Sequence, residues 1–114
     1  MSLARVLKML SSFGFTKTEA EVYIYLAKKG PQKDRELASA LKMTERELYS
    51  TIRNLQSRGI VTATVEQPSL FSAVAFEKVL ALFVKANLEQ AYALQENKEA
   101  LLASWRHMTK RYDT

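Results

Sequence analysis

The sequence has no cysteine, three glycines, two prolines, one histidine and one tryptophan among its 114 residues. Without cysteine there is no disulfide, no thiol nucleophile and no thiolate metal site. A lone His107 beside Arg106 reads as a surface or interface residue, so no metal site is expected. Glycine this scarce builds neither a G-x-G-x-x-G nor a G-x-x-x-x-G-K phosphate loop. Gly14, Gly30 and Gly59 instead stand where helices should end. No apolar run approaches the roughly 20 residues that span a bilayer. The opening MSLARVLKML has mixed charge and no small-residue cleavage site, so it does not read as a secretory signal. The acids are scattered over helix caps and charge pairs, and no paired-carboxylate centre emerges. These absences point to a protein inside the cell that is no enzyme, takes no cofactor and enters no membrane.

What is present is a positive charge of +5, unevenly placed. Residues 1–65 hold 11 of the 17 Lys and Arg but only 6 of the 12 acids, so the whole excess lies there. A basic surface favours polyanionic partners through phosphate neutralisation.

Leu3, Val6, Leu7 and Leu10 fall at helical spacing and predict an amphipathic helix over 3–12. A second helix is predicted to open on Thr18, with Thr18-x-x-Glu21 as its capping box. Its inward face is Ala20, Tyr23, Ile24, Leu26 and Ala27, and Gly30-Pro31 ends it. From Asp34 to Gly59 come two short helices and a tight turn. The first runs from about Lys33 to Leu41 with Leu37, Ala38 and Leu41 inward. The turn is Lys42-Met43-Thr44, with Met43 as a buried pin. The second opens with the box Thr44-x-x-Glu47 and carries Leu48, Ile52 and Leu55 on one stripe. This is the helix-turn-helix pattern, whose second helix enters a DNA major groove.

With Leu48 inward and 100° per residue, Arg46, Ser50, Arg53 and Ser57 face outward, flanked by Tyr49 and Asn54. Arg pairs bidentately with guanine and Asn with adenine. Base-contact candidates are therefore Arg46, Tyr49, Ser50, Arg53 and Asn54. Phosphate-contact candidates are Lys33, Arg35, Lys42, Thr44, Ser57 and Arg58, because cations and helix N-termini attract phosphate. The bland alternative is a solvated helix face.

Residues 60–65 are β-branched and partly alternating, Glu66-Gln67-Pro68-Ser69 is a turn, and Leu70–Val74 returns. That is a β-hairpin, placed as the wing of a winged helix. Its tip has no Lys or Arg, so little minor-groove affinity is expected. From Phe76 to about Arg111 no Gly or Pro occurs, which predicts one helix of about 35 residues and ~50 Å. A heptad seam runs through Val84, Asn87, Ala91, Leu94, Lys98, Leu101, Trp105, Met108 and Tyr112. These nine are the candidate dimer interface. Packing also accounts better than a ligand pocket for Tyr92, Trp105 and Tyr112. A helix folded back on its own domain is the alternative to dimerisation.

The stretches FGFTKTEAEVYIYLAKKGPQKDRELASAL, MTERELYSTIRNLQSRGIV and PSLFSAV resemble the TrmB family of archaeal winged-helix transcription regulators. The resemblance covers Leu10 to about Phe76. Its most specific element is Phe-Thr-x-x-Glu-Ala-x-Val-Tyr with the following Gly-Pro and Glu-Leu-Ala, while the Leu-Tyr-x-x-Ile portion is shared with the MarR group. The resemblance implies homodimeric DNA binding, with the helix from Glu45 reading the operator and the helix after the wing serving dimerisation. Larger members carry a sugar-binding C-terminal effector domain. This sequence stops after the long helix, so no sugar-binding residue is carried over and any effector is unknown. The wing also lacks the basic residues common in the family.

The expected fold is mainly α with a small β-hairpin: a winged helix-turn-helix over 1–75 and a long, coiled-coil-like dimerisation helix over 76–114. The expected function is sequence-specific binding of double-stranded DNA as a homodimeric transcription regulator, cytoplasmic and nucleoid-associated, with residues 45–58 in the major groove. Two rivals stand beside it. One is a weakly specific chromatin-type protein, the other a winged-helix protein-interaction module.

Overall fold

The computed structural model of the chain describes residues 3–110, and most of them are helical. The order is α1 (Leu3–Ser12), α2 (Lys17–Lys29), β1 (Gln32–Lys33), α3 (Asp34–Leu41), α4 (Glu45–Ser57), β2 (Val61–Ala63), β3 (Leu70–Ala73), α5 (Phe76–Glu96) and α6 (Lys98–Thr109). Two compact units divide the chain, one ending at Val79 and one beginning at Leu80.

In the first unit the helices are started by side chains and stopped by backbone geometry. Thr16 and Thr44 cap α2 and α4, each answered by the glutamate three residues on. Gly30 and Gly59 leave α2 and α4 with φ of +85° and +75°, which glycine adopts without a Cβ penalty. Lys42 ends α3 in the left-handed region at φ 55° and ψ 48°, and the Met43 N–H closes the turn on the Ala38 carbonyl at 2.9 Å. The core collects Leu10, Val22, Tyr23, Leu26, Leu37, Leu48, Ile52, Leu55, Ile60 and Val79, all buried. Burying one such apolar chain contributes roughly 1.5–3 kcal/mol, so this set holds α1 to α4 together.

The sheet has three antiparallel strands in the order β1-β3-β2. Val61 pairs with Ala73 and Ala63 with Phe71 in the hairpin, while Gln32 pairs with Phe71 across the other edge. Only the hairpin was expected. A two-residue strand after Gly30-Pro31 is too short to leave a periodic signature. It fastens the head of α3 to the wing. The Tyr23 hydroxyl donates to the Val74 carbonyl at 2.7 Å, tying α2 to the end of β3. Burial, then the Glu77 carboxylate, pushes its phenol upward from 10.0.

Four expectations are corrected. The box at the head of α2 is Thr16–Glu19 rather than Thr18–Glu21, because starting at Lys17 buries Phe15 and Ala20 on either side of the cap. The inward face of α2 follows that start. Glu19 and Val22 are buried, whereas Ile24 is half-buried and Ala27 exposed. Met43 is half-buried rather than buried.

The fourth concerns the second unit, where the single helix expected from Phe76 divides at Asn97. Asn97 has φ −100° and ψ 7°, yet its N–H still reaches the Ala93 carbonyl at 3.1 Å. Its side-chain amide donates to that same carbonyl at 2.8 Å. A side chain competing for a backbone acceptor loosens the helix locally, and Asn is a poor helix former. The i to i−4 pattern resumes at once, with the Leu101 N–H on the Asn97 carbonyl at 2.9 Å. Asn87 makes the same bond to the Phe83 carbonyl at 3.0 Å while α5 runs through it unbroken, so this bond accompanies the break at Asn97 and does not by itself cause it. Arg111 and Tyr112 lie outside the described residues.

Candidate nucleic-acid interface

Helix α4 is held from below by Leu48, Ile52 and Leu55, each buried. That anchoring fixes which residues face out. Arg46, Tyr49, Ser50, Arg53, Asn54 and Ser57 line one shallow, open trough along the helix. A second trough shares Arg46, Ser50 and Asn54, adds Glu47 and Thr51 of α4, and is lined on the α2 side by Thr16, Thr18 and Glu19. Thr16 and Thr18, at the head of α2, were not among the sequence candidates. Their only signal was their position on a neighbouring helix start, which no single-helix projection contains.

The outward residues differ in how free they are. The Arg53 guanidinium lies over the Tyr49 ring, 5.5 Å from its centroid. Tyr49 itself is 63% exposed, so the pair stands in solvent. Ser57 donates its hydroxyl to the Asn54 carbonyl at 2.7 Å, which spends its hydrogen inside the helix. Thr44 accepts from the Glu47 N–H at 3.1 Å, and its own N–H goes to Glu47 Oε1 at 3.0 Å. The Thr44 amide first, and the nearby Thr44 hydroxyl second, hold the Glu47 carboxyl below 4.5. Lys33, Arg35 and Lys42 are exposed around α3 and the turn that follows it.

Asn54 and Arg58 belong to a different network. Glu19, 4% exposed, is the one buried charged residue of the described chain. Its Oε2 accepts from Asn54 Nδ2 at 2.9 Å, and its Oε1 accepts from the Thr16 N–H at 2.9 Å. Arg58 Nη1 stands 3.6 Å from Oε1. The same guanidinium donates to the Phe13 carbonyl at 3.1 Å and lies 4.8 Å from the Phe15 ring centroid. Among the described residues this is the only ion pair within 4.0 Å, which leaves Arg46 and Arg53 unneutralised.

The wing offers a contrasting surface. No Lys or Arg occurs between Gly59 and Glu77. Gln67, Pro68 and Ser69 close with Leu48, Tyr49 and Phe71 around a cavity of about 180 Å³ whose rim carries Asp34 and Glu45. The second unit exposes an apolar stripe instead. Val84, Leu94, Leu101, Trp105 and Met108 of the predicted seam are all exposed, and Leu88, Tyr92 and Leu102 flank them. Ala91 and Lys98 are exposed too. Among the described residues no helix is long and apolar enough to cross a membrane, and no cluster of metal-binding side chains forms.

Residues 10–77 match the family described as sugar-specific transcriptional regulator TrmB. No curated protein matches this chain. Among solved structures, the archaeal chromatin protein TrmBL2 superposes with a TM-score of 0.79 at 21% identity, over 97% of this chain and 43% of its own. This chain thus spans less than half of TrmBL2's length. A possible transcriptional regulator from Methanosarcina mazei gives 0.66 at 15% identity, covering 80% of this chain and 83% of that one. MepR, the regulator of a Staphylococcus aureus multidrug efflux pump, gives 0.55 at 18% identity, covering 96% and 88%. At these identities the likeness is one of fold, the winged helix of transcription regulators.

Proposed function

The chain belongs to the sugar-specific transcriptional regulator TrmB family, and from that membership we propose that it binds double-stranded DNA as a homodimeric, sequence-specific transcription regulator. Family and fold are those of regulators rather than enzymes. The observation that carries the reading is the pair Arg46 and Arg53, unneutralised on the exposed face of a helix whose other face is locked in the core. Helix α4 enters the major groove. Lys33, Arg35 and Lys42 reach phosphates beside it, together with the Thr44 hydroxyl and the free N–H groups of the first turn of α4. The wing, without a base, adds little minor-groove grip. The site of action is the nucleoid, in the cytoplasm.

Residues 76–114 are the dimerisation segment. The exposed stripe from Val84 to Met108 is mostly apolar along both α5 and α6, interrupted by Asn87 and Lys98, and a second copy is the self-complementary cover for it. Paired chains bring two copies of α4 to half-sites about 34–36 Å apart. A dimer neutralising 6–10 phosphates loses roughly 10³–10⁵ in affinity between 50 and 200 mM salt. Gel shift across that salt range, with mass measured in solution, tests both halves. A salt-independent affinity or a monomer at the concentrations used rejects the corresponding half.

One observation favours a second reading. TrmBL2 is described as a chromatin protein, and chromatin-type binding with weak sequence preference fits a wing that reads nothing. A footprint that covers all sequences equally distinguishes it from operator binding. Absence of any shift at low salt leaves a protein-interaction module.

A further inference from the structure

We infer that α4 reads guanines through Arg46 and Arg53, and that Glu19 is the positioning residue which keeps Asn54 out of the readout. The inference rests on the DNA-binding reading above and names what that surface recognises.

By side-chain chemistry Asn54 is the adenine reader of the stripe. An amide presents an N–H and a carbonyl side by side, matching adenine N7 and N6. In this fold the Nδ2 of Asn54 points at α2 and donates to Glu19 Oε2 at 2.9 Å. Turning the amide toward a base takes that donor away from a carboxylate that is 4% exposed. A buried acceptor left without its donor is more costly than the exposed bond it is exchanged for. Arg58 is withdrawn by the same carboxylate, by the Phe13 carbonyl at 3.1 Å and by the Phe15 ring. By residue type and position both are candidates for DNA contact, and the network removes both.

Arg46, Tyr49, Ser50 and Arg53 remain. A serine hydroxyl is both donor and acceptor and discriminates poorly between bases. The two arginines carry the fork that fits guanine O6 and N7. Arg53 is already stacked on Tyr49, four residues earlier on the same face. A guanidinium held on a ring loses less freedom on binding than a free one. Arg46 and Arg53 are two helical turns apart, ~10.5 Å along the axis at 1.5 Å per residue. With 3.4 Å between stacked bases, a helix lying along the groove meets two guanines about three base pairs apart.

The test is selection of bound duplexes from a random pool, followed by 7-deazaguanine substitution, which replaces the N7 acceptor by C–H. Wild-type protein is expected to enrich half-sites with two guanines at that spacing, and each deaza substitution to weaken binding at least fivefold. Arg53→Ala should erase the preference at one guanine and become indifferent to deaza substitution there, and Arg46→Ala should do the same at the other. Asn54→Ala should leave the base profile unchanged. Glu19→Ala frees Asn54 and should add adenine at a position that was guanine or unspecified, and the double variant Glu19→Ala/Asn54→Ala should restore the original profile. A purely structural Glu19 would lower the amount of folded protein without moving the profile. If Glu19→Ala does not fold, Asn54→Ala still decides. Loss of an adenine preference in Asn54→Ala, or enriched duplexes without the guanine pair, overturns the inference alone. No duplex retained at low salt overturns the DNA-binding reading itself.

Discussion

The heads of α2 and α4 are built from the same six-residue device and end in opposite surroundings. Each begins with a residue at positive φ, Gly14 at 91° and Lys42 at 55°. An apolar residue follows, Phe15 or Met43, and then a threonine cap with a glutamate three positions on. The cap distances match to within 0.1 Å: threonine N–H to glutamate oxygen is 2.9 and 3.0 Å, and the reciprocal bond is 3.1 Å in both. Yet Phe15 and Glu19 are buried, while Met43 is half-buried and Glu47 exposed. At α4 the box caps a helix and does nothing more. At α2 the same carboxylate has spare lone pairs inside the protein, and Asn54 and Arg58 take them. Local geometry is set by the motif. What the motif does for the fold is set by where the body packs against it.

Removing the two carboxylates in turn should give the largest difference between the two helix heads. Glu19→Ala leaves Arg58 and Asn54 without their shared acceptor and opens space beside the core. Breaking a buried pair takes 3–5 kcal/mol, and Arg58, 31% exposed, recovers part of that by rehydration. A loss of about 2–3 kcal/mol in urea denaturation is expected. Glu47→Ala should be clearly milder. Equal losses would mean that the α2 box is only a cap.

Next come the threonines. Thr44→Ala removes one cap hydroxyl and should destabilise by about 1 kcal/mol. Thr16→Ala should exceed it, because its hydroxyl accepts from the N–H of Glu19, a residue only 4% exposed, and that donor is left with less access to water. Double-mutant cycles with Asn54→Ala should show coupling for Thr16 and none for Thr44.

The residues at positive φ give a smaller pair of opposite signs. Lys42 adopts the left-handed region at a penalty of roughly 1–2 kcal/mol for a residue with a Cβ. Lys42→Gly should therefore stabilise, by up to ~1 kcal/mol after glycine's greater unfolded entropy is subtracted. Gly14→Ala should destabilise by about the same amount. The added Cβ there meets only Arg58 Nη2 at 4.0 Å, an ordinary contact, so the whole effect is backbone strain. Lys42→Gly should also weaken DNA binding if Lys42 reaches a phosphate, separating stability from affinity in one variant.

These elements mark what was legible in the sequence. The turn Lys42-Met43-Thr44, the buried stripe Leu48, Ile52 and Leu55, and the hairpin follow from periodicity and punctuation, which are local. At the head of α2 Thr16-x-x-Glu19 and Thr18-x-x-Glu21 satisfy the same pattern, and only burial selects between them. Asn54 resembles any polar residue flanking an outward stripe and Arg58 any cation at a helix end, and the partner that claims Asn54 lies 35 positions away. A clue was present. Glu19 shares the spacing of Tyr23 and Leu26, so an acid stood on an apolar face and required partners from elsewhere. The break at Asn97 was hidden by good helix formers on both sides of one residue whose side chain competes for a backbone carbonyl.

The smallest effect separates charge from hydrogen bonding at Glu47. The Thr44 amide, then its hydroxyl, hold this carboxyl below its ordinary 4.5 in the folded protein. As acid is added, the unfolded chain therefore takes up the proton first. The stabilisation is complete above 4.5 and is lost as pH falls through the lower folded value. In Glu47→Gln the side-chain oxygen still accepts from the Thr44 N–H but carries no charge. Wild type should be slightly the more stable at neutral pH, and the two denaturation midpoints should converge below pH 4.5. The gap should also shrink with added salt, since an exposed charge at a helix N-terminus is screened. A gap that stays constant with pH and salt would assign the α4 box to hydrogen bonding alone, and would set Glu47 apart from Glu19, whose charge is paired with Arg58.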